Sequence, residues 1–152
     1  MKKKKNKPIA PYFLCLICLI LMVILRWIWP IKVIIGFPLN LLGLGPLVLG
    51  LAIGVSAVVK FLKERTNIHP FKKPDKLVTG GVYRYGRNPM YLGLALILAG
   101  SWVLLGAVSP LAGLLIFVAI SDRYYIPPEE QMLGERFGES YEQYRRAVRR
   151  WF

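Results

Sequence analysis

Long uncharged, apolar stretches alternate with short basic ones along this chain, and the lengths of the apolar stretches define its elements. Uncharged runs cover Pro8 to Leu25 (18 residues), Val33 to Val59 (27) and Asn88 to Ser121 (34). A helix needs about 20 apolar residues to cross a hydrocarbon core roughly 30 Å thick. At about 1.5 Å per residue the last run would reach about 50 Å as one helix, too long for a bilayer. Gly106, Ser109 and Pro110 near its middle form a turn-type cluster that divides it. The pattern therefore predicts four spans, at about 9–26, 38–60, 89–106 and 110–126, with a connection over 61–88. The fourth ends at Pro127-Pro128, where a helix should stop or restart. Beyond them Leu133, Phe137, Tyr141, Tyr144, Val148 and Trp151 recur at steps of four, four, three, four and three. That period predicts one amphipathic helix over 128–152. The fold class expected is all-α: a polytopic integral membrane protein of about four transmembrane helices and a C-terminal amphipathic interfacial helix, forming one domain over 1–152.

Composition supports the class. The chain is 55% hydrophobic and 19% charged, with a mean hydropathy of +0.46; soluble domains average about 45–50% apolar and about 25% charged. A net charge of +13 raises the question of nucleic acid, but the Lys and Arg interrupt apolar blocks instead of lining one polar face. Four spans put 19 of the 21 basic residues on one side, leaving Arg26 and Lys32 on the other. The positive-inside rule assigns the basic side to the cytoplasm, so both termini are expected there, with the cell membrane as the location. A cleaved signal peptide fits less well: the first apolar stretch exceeds the usual length of about 7–15 residues, and Arg26-Trp27-Ile28-Trp29-Pro30 offers no small-x-small cleavage site. Trp27 and Trp29 read instead as an interfacial aromatic belt.

Within the spans, Gly43, Gly50 and Gly54 in the second and Gly93, Ala95, Ala99 and Gly100 in the third are small residues at near-helical spacing. Small residues of this kind let helices approach closely in lipid. Cys15 and Cys18 lie in hydrocarbon without nearby His or carboxylate, so they read as packing and not as a metal site or disulfide framework. No ionisable residue occupies the middle of a span, which argues against an ion channel or proton-coupled pump. The chemistry must then sit at the cytoplasmic ends. There Arg87-Asn88-Pro89-Met90-Tyr91 opens span three, with Pro placed where a helix needs no donor and a positive helix end behind it. Pro127-Pro128-Glu129-Glu130 follows span four, and Arg145, Arg146, Arg149 and Arg150 give the last helix a face suited to anionic membrane lipids. His69, the sole histidine, lies in the long connection and carries no assigned role.

Two of these segments carry a resemblance. Leu77-Val78-Thr79-x-Gly81-x-Tyr83-Arg84-Tyr85-x-Arg87-Asn88-Pro89-Met90-Tyr91-Leu92-Gly93, and later Glu129-Glu130-x-x-Leu133-x-x-x-Phe137-Gly138-x-x-Tyr141-x-x-Tyr144-x-x-x-Val148-x-Arg150-Trp151, resemble the signature of the isoprenylcysteine carboxyl methyltransferase and phospholipid methyltransferase superfamily. The resemblance covers about 66–152. It implies a membrane-embedded enzyme without a Rossmann domain, using S-adenosyl-L-methionine bound between spans three and four and the C-terminal helix. It also implies cofactor contacts from Arg87, Asn88, Pro89, Tyr91, Glu129 and Glu130, with Leu77, Val78 and Tyr83 lining the adenosine pocket. Arg123 is implied to be the catalytic residue near the acceptor. Asn88 stands where the eukaryotic enzymes resemble one another in having His.

The chemistry is compatible with those roles. Glu129 or Glu130 can accept from an ammonium or from ribose hydroxyls, and Arg87 can pair with a carboxylate. Methyl transfer is an in-line displacement in which a cationic sulfur becomes neutral, so positioning and a dry site matter more than a strong acid or base. The expected partners are a lipid-soluble methyl acceptor, an isoprenylcysteine-like carboxylate or a phospholipid-like amphiphile, and membrane lipids; neither metal nor nucleic acid is expected. Two alternatives stay open from the residues: a nicotinamide-dependent reductase of the sterol-reductase kind, and a non-catalytic scaffold whose basic face holds anionic lipid.

Overall fold

The computed structural model describes residues 9–65 and 74–152. The lysines at 2–7 and His69 therefore lie outside the described residues. Helix α1 (Pro11–Ile28) opens on a proline that needs no donor in the first turn. A short turn of tight helix, Leu39–Gly43, leads into α2 (Leu44–Lys63). After the long connection come α3 (Pro89–Leu105), α4 (Leu111–Ile120), α5 (Ile126–Phe137) and α6 (Glu139–Ala147). The described residues contain no strand, and a lone bridge joins Val33 to Ala107.

Two segments, Pro11–Ile28 with 18 residues and Leu39–Lys63 with 25, are long and apolar enough to cross a membrane. In their most apolar stretches 22% and 17% of residues are buried, so most of their hydrophobic surface faces outward. Leu16, Ile20 and Ile24 on α1 and Val48, Leu51 and Val55 on α2 belong to that exposed set. Soluble monomers rarely leave apolar patches beyond a few hundred Å² uncovered; lipid is the physical complement of such a surface. Helix α3 is equally apolar but shorter, and α4 has ten residues.

Packing follows the small residues. Helices α2 and α3 run antiparallel, and the seven-residue step from Gly43 to Gly50 meets the same step from Gly93 to Gly100. A Cβ on Gly50 would stand 2.5 Å from the Gly93 carbonyl, and one on Gly100 2.5 Å from the Gly43 carbonyl. The backbones touch, as dispersion-driven association in lipid favours. On the other side, Met22 and Cys18 of α1 press against Gly113 of α4, around a core with Cys15, Leu98, Phe117 and Ile126.

One end of the bundle is closed by backbone caps. Gly106, at φ 67°, ends α3 with its N–H on the Trp102 carbonyl, the left-handed cap that glycine adopts without strain. The Arg26 Nε and Asn40 Nδ2 donate to the Leu105 and Leu104 carbonyls at 2.8 and 3.2 Å, satisfying helix-end acceptors that would otherwise be orphaned. The functional candidates all gather at the other end.

One expectation for the C-terminal third holds and one changes. At Pro127-Pro128 the chain restarts: α4 passes through a wide turn, Ser121–Tyr125, and α5 begins at Ile126 with both prolines in its first turn. Proline rings clash with the carbonyl one turn earlier in a regular helix, and the wider π turn displaces those carbonyls so that rotation continues. The single helix expected over 128–152 is instead two. Gly138 takes a backbone conformation reserved for glycine (φ 51°, ψ −125°) and separates α5 from α6. From Val148 the chain is extended.

Candidate active site

The connection into α3 is shaped by its glycines. Gly81, at φ 66°, starts a short helical turn, Gly81–Arg84, that turns Tyr83 inward while Arg84 and Tyr85 stay exposed. Gly86 is needed for another reason: any Cβ there would collide with the Trp151 carbonyl. The extended tail lies directly over this loop. The Arg87 and Asn88 N–H groups donate to the Arg149 and Arg150 carbonyls at 2.9 and 3.2 Å, and Asn88 Nδ2 adds a third bond to the Arg150 carbonyl at 3.1 Å.

Arg87 is the hub. Its Nε and Nη2 donate to Glu130 Oε1 at 3.2 and 2.8 Å, and its Nη1 donates to the Arg145 and Val148 carbonyls, both at 2.8 Å. The other Glu130 oxygen accepts from Arg150 Nη2 at 2.8 Å, while Arg150 Nη1 and Trp151 Nε1 donate to Asp122 Oδ1 at 3.1 and 3.3 Å. Burial alone would raise the Glu130 carboxyl, but the Arg150 and Arg87 guanidiniums outweigh it and hold the group below the usual carboxylate range. Every Arg87 nitrogen and both Glu130 oxygens are thus committed within the protein. The expectation that Arg87 pairs with a cofactor carboxylate meets a guanidinium already engaged.

Glu129 is different. Its Oε1 accepts from the Tyr91 hydroxyl at 2.7 Å, and burial pushes its carboxyl up to about 7, with Glu130 adding to the rise and the Tyr91 bond opposing it. The Tyr91 ring in turn lies 6.4 Å from that of Tyr125, whose hydroxyl donates to the Ile9 carbonyl and ties the start of α1 to the π turn.

These groups face a cavity of about 750 Å³. Leu77, Val78, Tyr83, Arg87, Asn88, Pro89, Tyr91, Glu129 and Glu130 all line it. Its polar end lies between α3, α5 and α6; its walls continue as apolar surface along Gly50, Leu51, Gly54, Val55, Val58 and Val59 of α2. Val55 and Leu51 are also exposed on the outer surface. Arg123 is not brought here: it is exposed on the π turn and lies outside the cavity lining. The periodicity of the C-terminal segment put Tyr141 and Tyr144 on the apolar face of an amphipathic helix, and both line the cavity. Tyr144 donates to the Tyr83 carbonyl at 2.7 Å, whereas the Tyr141 hydroxyl is buried without a partner among the described residues. No cluster of three or more His, Cys, Asp or Glu able to hold a metal occurs among the described residues.

The family model described as phospholipid methyltransferase matches residues 39–140, which takes in α2 through α5 and the whole lining from Leu77 to Glu130. The chain belongs to this family. Among relatives of this methyltransferase-family chain is the protein-S-isoprenylcysteine O-methyltransferase of Schizosaccharomyces pombe, 38% identical over 109 residues (69% of this chain and 45% of that protein). A probable protein-S-isoprenylcysteine O-methyltransferase of Oryza sativa subsp. indica is 34% identical over 111 residues (70% and 56%). Protein-S-isoprenylcysteine O-methyltransferase B of Arabidopsis thaliana is 30% identical over 111 residues (70% and 55%). The chain spans about half the length of these curated relatives. No solved structure matches it.

Proposed function

We propose that this chain transfers a methyl group from S-adenosyl-L-methionine to a lipid-soluble acceptor at the cytoplasmic face of the cell membrane. The observation that carries the reading is one cavity with two characters: a polar end holding Glu129 and an unpaired tyrosine hydroxyl, and an apolar flank that reaches the exposed face of α2. Nucleoside cofactors and lipid acceptors need those two environments side by side. Named relatives that methylate isoprenylcysteine support the acceptor class.

The residues present fit the cofactor. The Glu129 carboxylate suits an ammonium or ribose hydroxyls, Leu77, Val78 and Tyr83 offer an apolar wall for adenine, and the unpartnered Tyr141 hydroxyl asks for a polar atom inside the cavity. When bound, S-adenosyl-L-methionine supplies an electrophilic methyl on a sulfonium. Arg87 and Glu130 act by holding α3, α5 and the tail in register, which fixes the orientation of Glu129 and Tyr91. The surrounding apolar side chains exclude water from the transfer. Four spans with N and C termini inside, a topology supported by the basic residues at the cavity end, would set this chamber at the inner leaflet.

Calorimetry of the purified full-length protein with S-adenosylhomocysteine tests the reading. Saturable binding that weakens at least about tenfold in Glu129→Ala is the expected result, the worth of one lost charged hydrogen bond. Absence of binding, or displacement of the nucleoside by NADPH, would refute it in favour of a scaffold or a reductase.

A further inference from the structure

Tyr141 is the largest fully buried side chain among the described residues, at 1% exposure, and it lines the cavity while its hydroxyl lacks a hydrogen-bond partner among those residues. Burying a hydroxyl without a partner is costly, and phenylalanine would fill the same volume without that cost. The unpaired hydroxyl therefore needs a function outside the free protein. Its surroundings narrow what it meets. Tyr144 is spent on the Tyr83 carbonyl, and Glu130 and Arg87 are spent on each other, on Arg150 and on the tail. The Arg87 and Arg150 guanidiniums are matched by Glu130 and Asp122, which leaves Glu129 as the cavity-lining carboxyl without a cation partner among the described residues.

Resting on the cofactor reading above, we propose that the Tyr141 hydroxyl donates to the carboxylate of the cofactor's amino-acid end. The site thereby grips a zwitterion, ammonium toward Glu129 and carboxylate toward Tyr141, and Tyr141 does what the committed Arg87 is not free to do. Burial pushes this phenol up to about 12, so it remains a donor across the physiological range. Among the described residues two other buried side-chain atoms share its unpaired state, Ser121 Oγ and Asn40 Oδ1, and neither residue lines the cavity.

The test compares two probes on the full-length protein: S-adenosylhomocysteine, which carries the amino-acid end, and methylthioadenosine, which lacks it. In Tyr141→Phe, affinity for S-adenosylhomocysteine should fall about tenfold or more, as for a charged hydrogen bond. Affinity for methylthioadenosine should stay within about twofold, and the ligand-free melting temperature should hold or rise, because a buried unsatisfied group is gone. Ser121→Ala removes the other orphan hydroxyl and should leave both affinities unchanged. Unchanged S-adenosylhomocysteine affinity in Tyr141→Phe, or equal weakening of both probes, overturns the inference while the cofactor reading survives. Failure of wild-type protein to bind either probe overturns the cofactor reading and this inference with it.

Discussion

Glu129 and Glu130 are neighbours in sequence, yet their environments drive them apart. Glu130 sits between two guanidiniums and stays ionised; Glu129 faces an apolar chamber and titrates near about 7. The consequence for stability has a definite sign. The Glu129 carboxyl ionises from an ordinary 4.5 when unfolded and from about 7 when folded, so between those values the folded state retains a proton that the unfolded state has lost. Its contribution therefore diminishes as pH rises through that window and levels off above it. Glu130 works the other way, its stabilisation disappearing as pH falls through the carboxylate range. Ligand affinity should follow Glu129 ionisation: S-adenosylhomocysteine should bind more tightly as pH rises from about 6 to about 8, since the carboxylate is the form that holds a cation. In Glu129→Gln both the binding rise and the 4.5-to-7 stability slope should flatten. Melting temperatures and titrations across that range in detergent check each half separately.

At the scale of the helix, α2 carries two glycines one turn apart with opposite meanings. Gly50 is spent on packing: its added Cβ would lie 2.5 Å from the Gly93 carbonyl and 2.9 Å from the Ile97 nitrogen, so something must shift. Gly54 has nothing within 4 Å of such a Cβ and lines the cavity. Gly50→Val should destabilise by about 1–3 kcal/mol through overpacking. Gly54→Leu should leave the fold and S-adenosylhomocysteine binding intact, since leucine is the better helix former by up to about 1 kcal/mol, while lowering methylation of a lipid acceptor by filling its path. Melting temperature, nucleoside calorimetry and labelled-methyl transfer to a lipid extract separate the two. The sequence disclosed that these glycines pack helices but not that Gly54 alone of the two leaves room for a side chain, because Gly50 and Gly54 differ only by their angle around α2. Charge-free runs and the Gly106–Pro110 turn made the helices of the first two thirds legible. The break at Gly138 was hidden because the apolar period runs through it unbroken, whereas Pro127-Pro128 marked the start of α5, where prolines fit a first turn that needs no donor.

For the whole molecule, the decisive feature is that three segments distant in sequence close on one pair of charges. Arg87 precedes α3, Glu130 lies in the first turns of α5, and Arg145, Val148 and Arg150 belong to the last helix and tail. That Arg87 and Glu130 would share a site was legible, since both stand in motifs at the same end of an apolar hairpin. That they would satisfy each other was not, because motif residues reveal chemical type and not which partner reaches them first. Arg123 shows the same limit: three residues from Ile126 along the chain, it is turned outward by the π turn. The pairing predicts how stability is distributed. Arg87 and Glu130 side chains are each 10% exposed, so Arg87→Met would take one of two guanidiniums from a buried carboxylate and release the Arg145 and Val148 carbonyls. A loss of about 1–3 kcal/mol is expected, the range for hydrogen bonds to a charged group whose other partner remains. The Arg136–Asp75 pair, at 3.6 Å with side chains 38% and 67% exposed, should contribute little, and Arg136→Ala should stay within about 0.5 kcal/mol. Denaturant titration of the three proteins in the same detergent measures both. If Arg87→Met proved no more disruptive than Arg136→Ala, the guanidinium would not be holding the chamber together, and its place among the ligand contacts would have to be reconsidered.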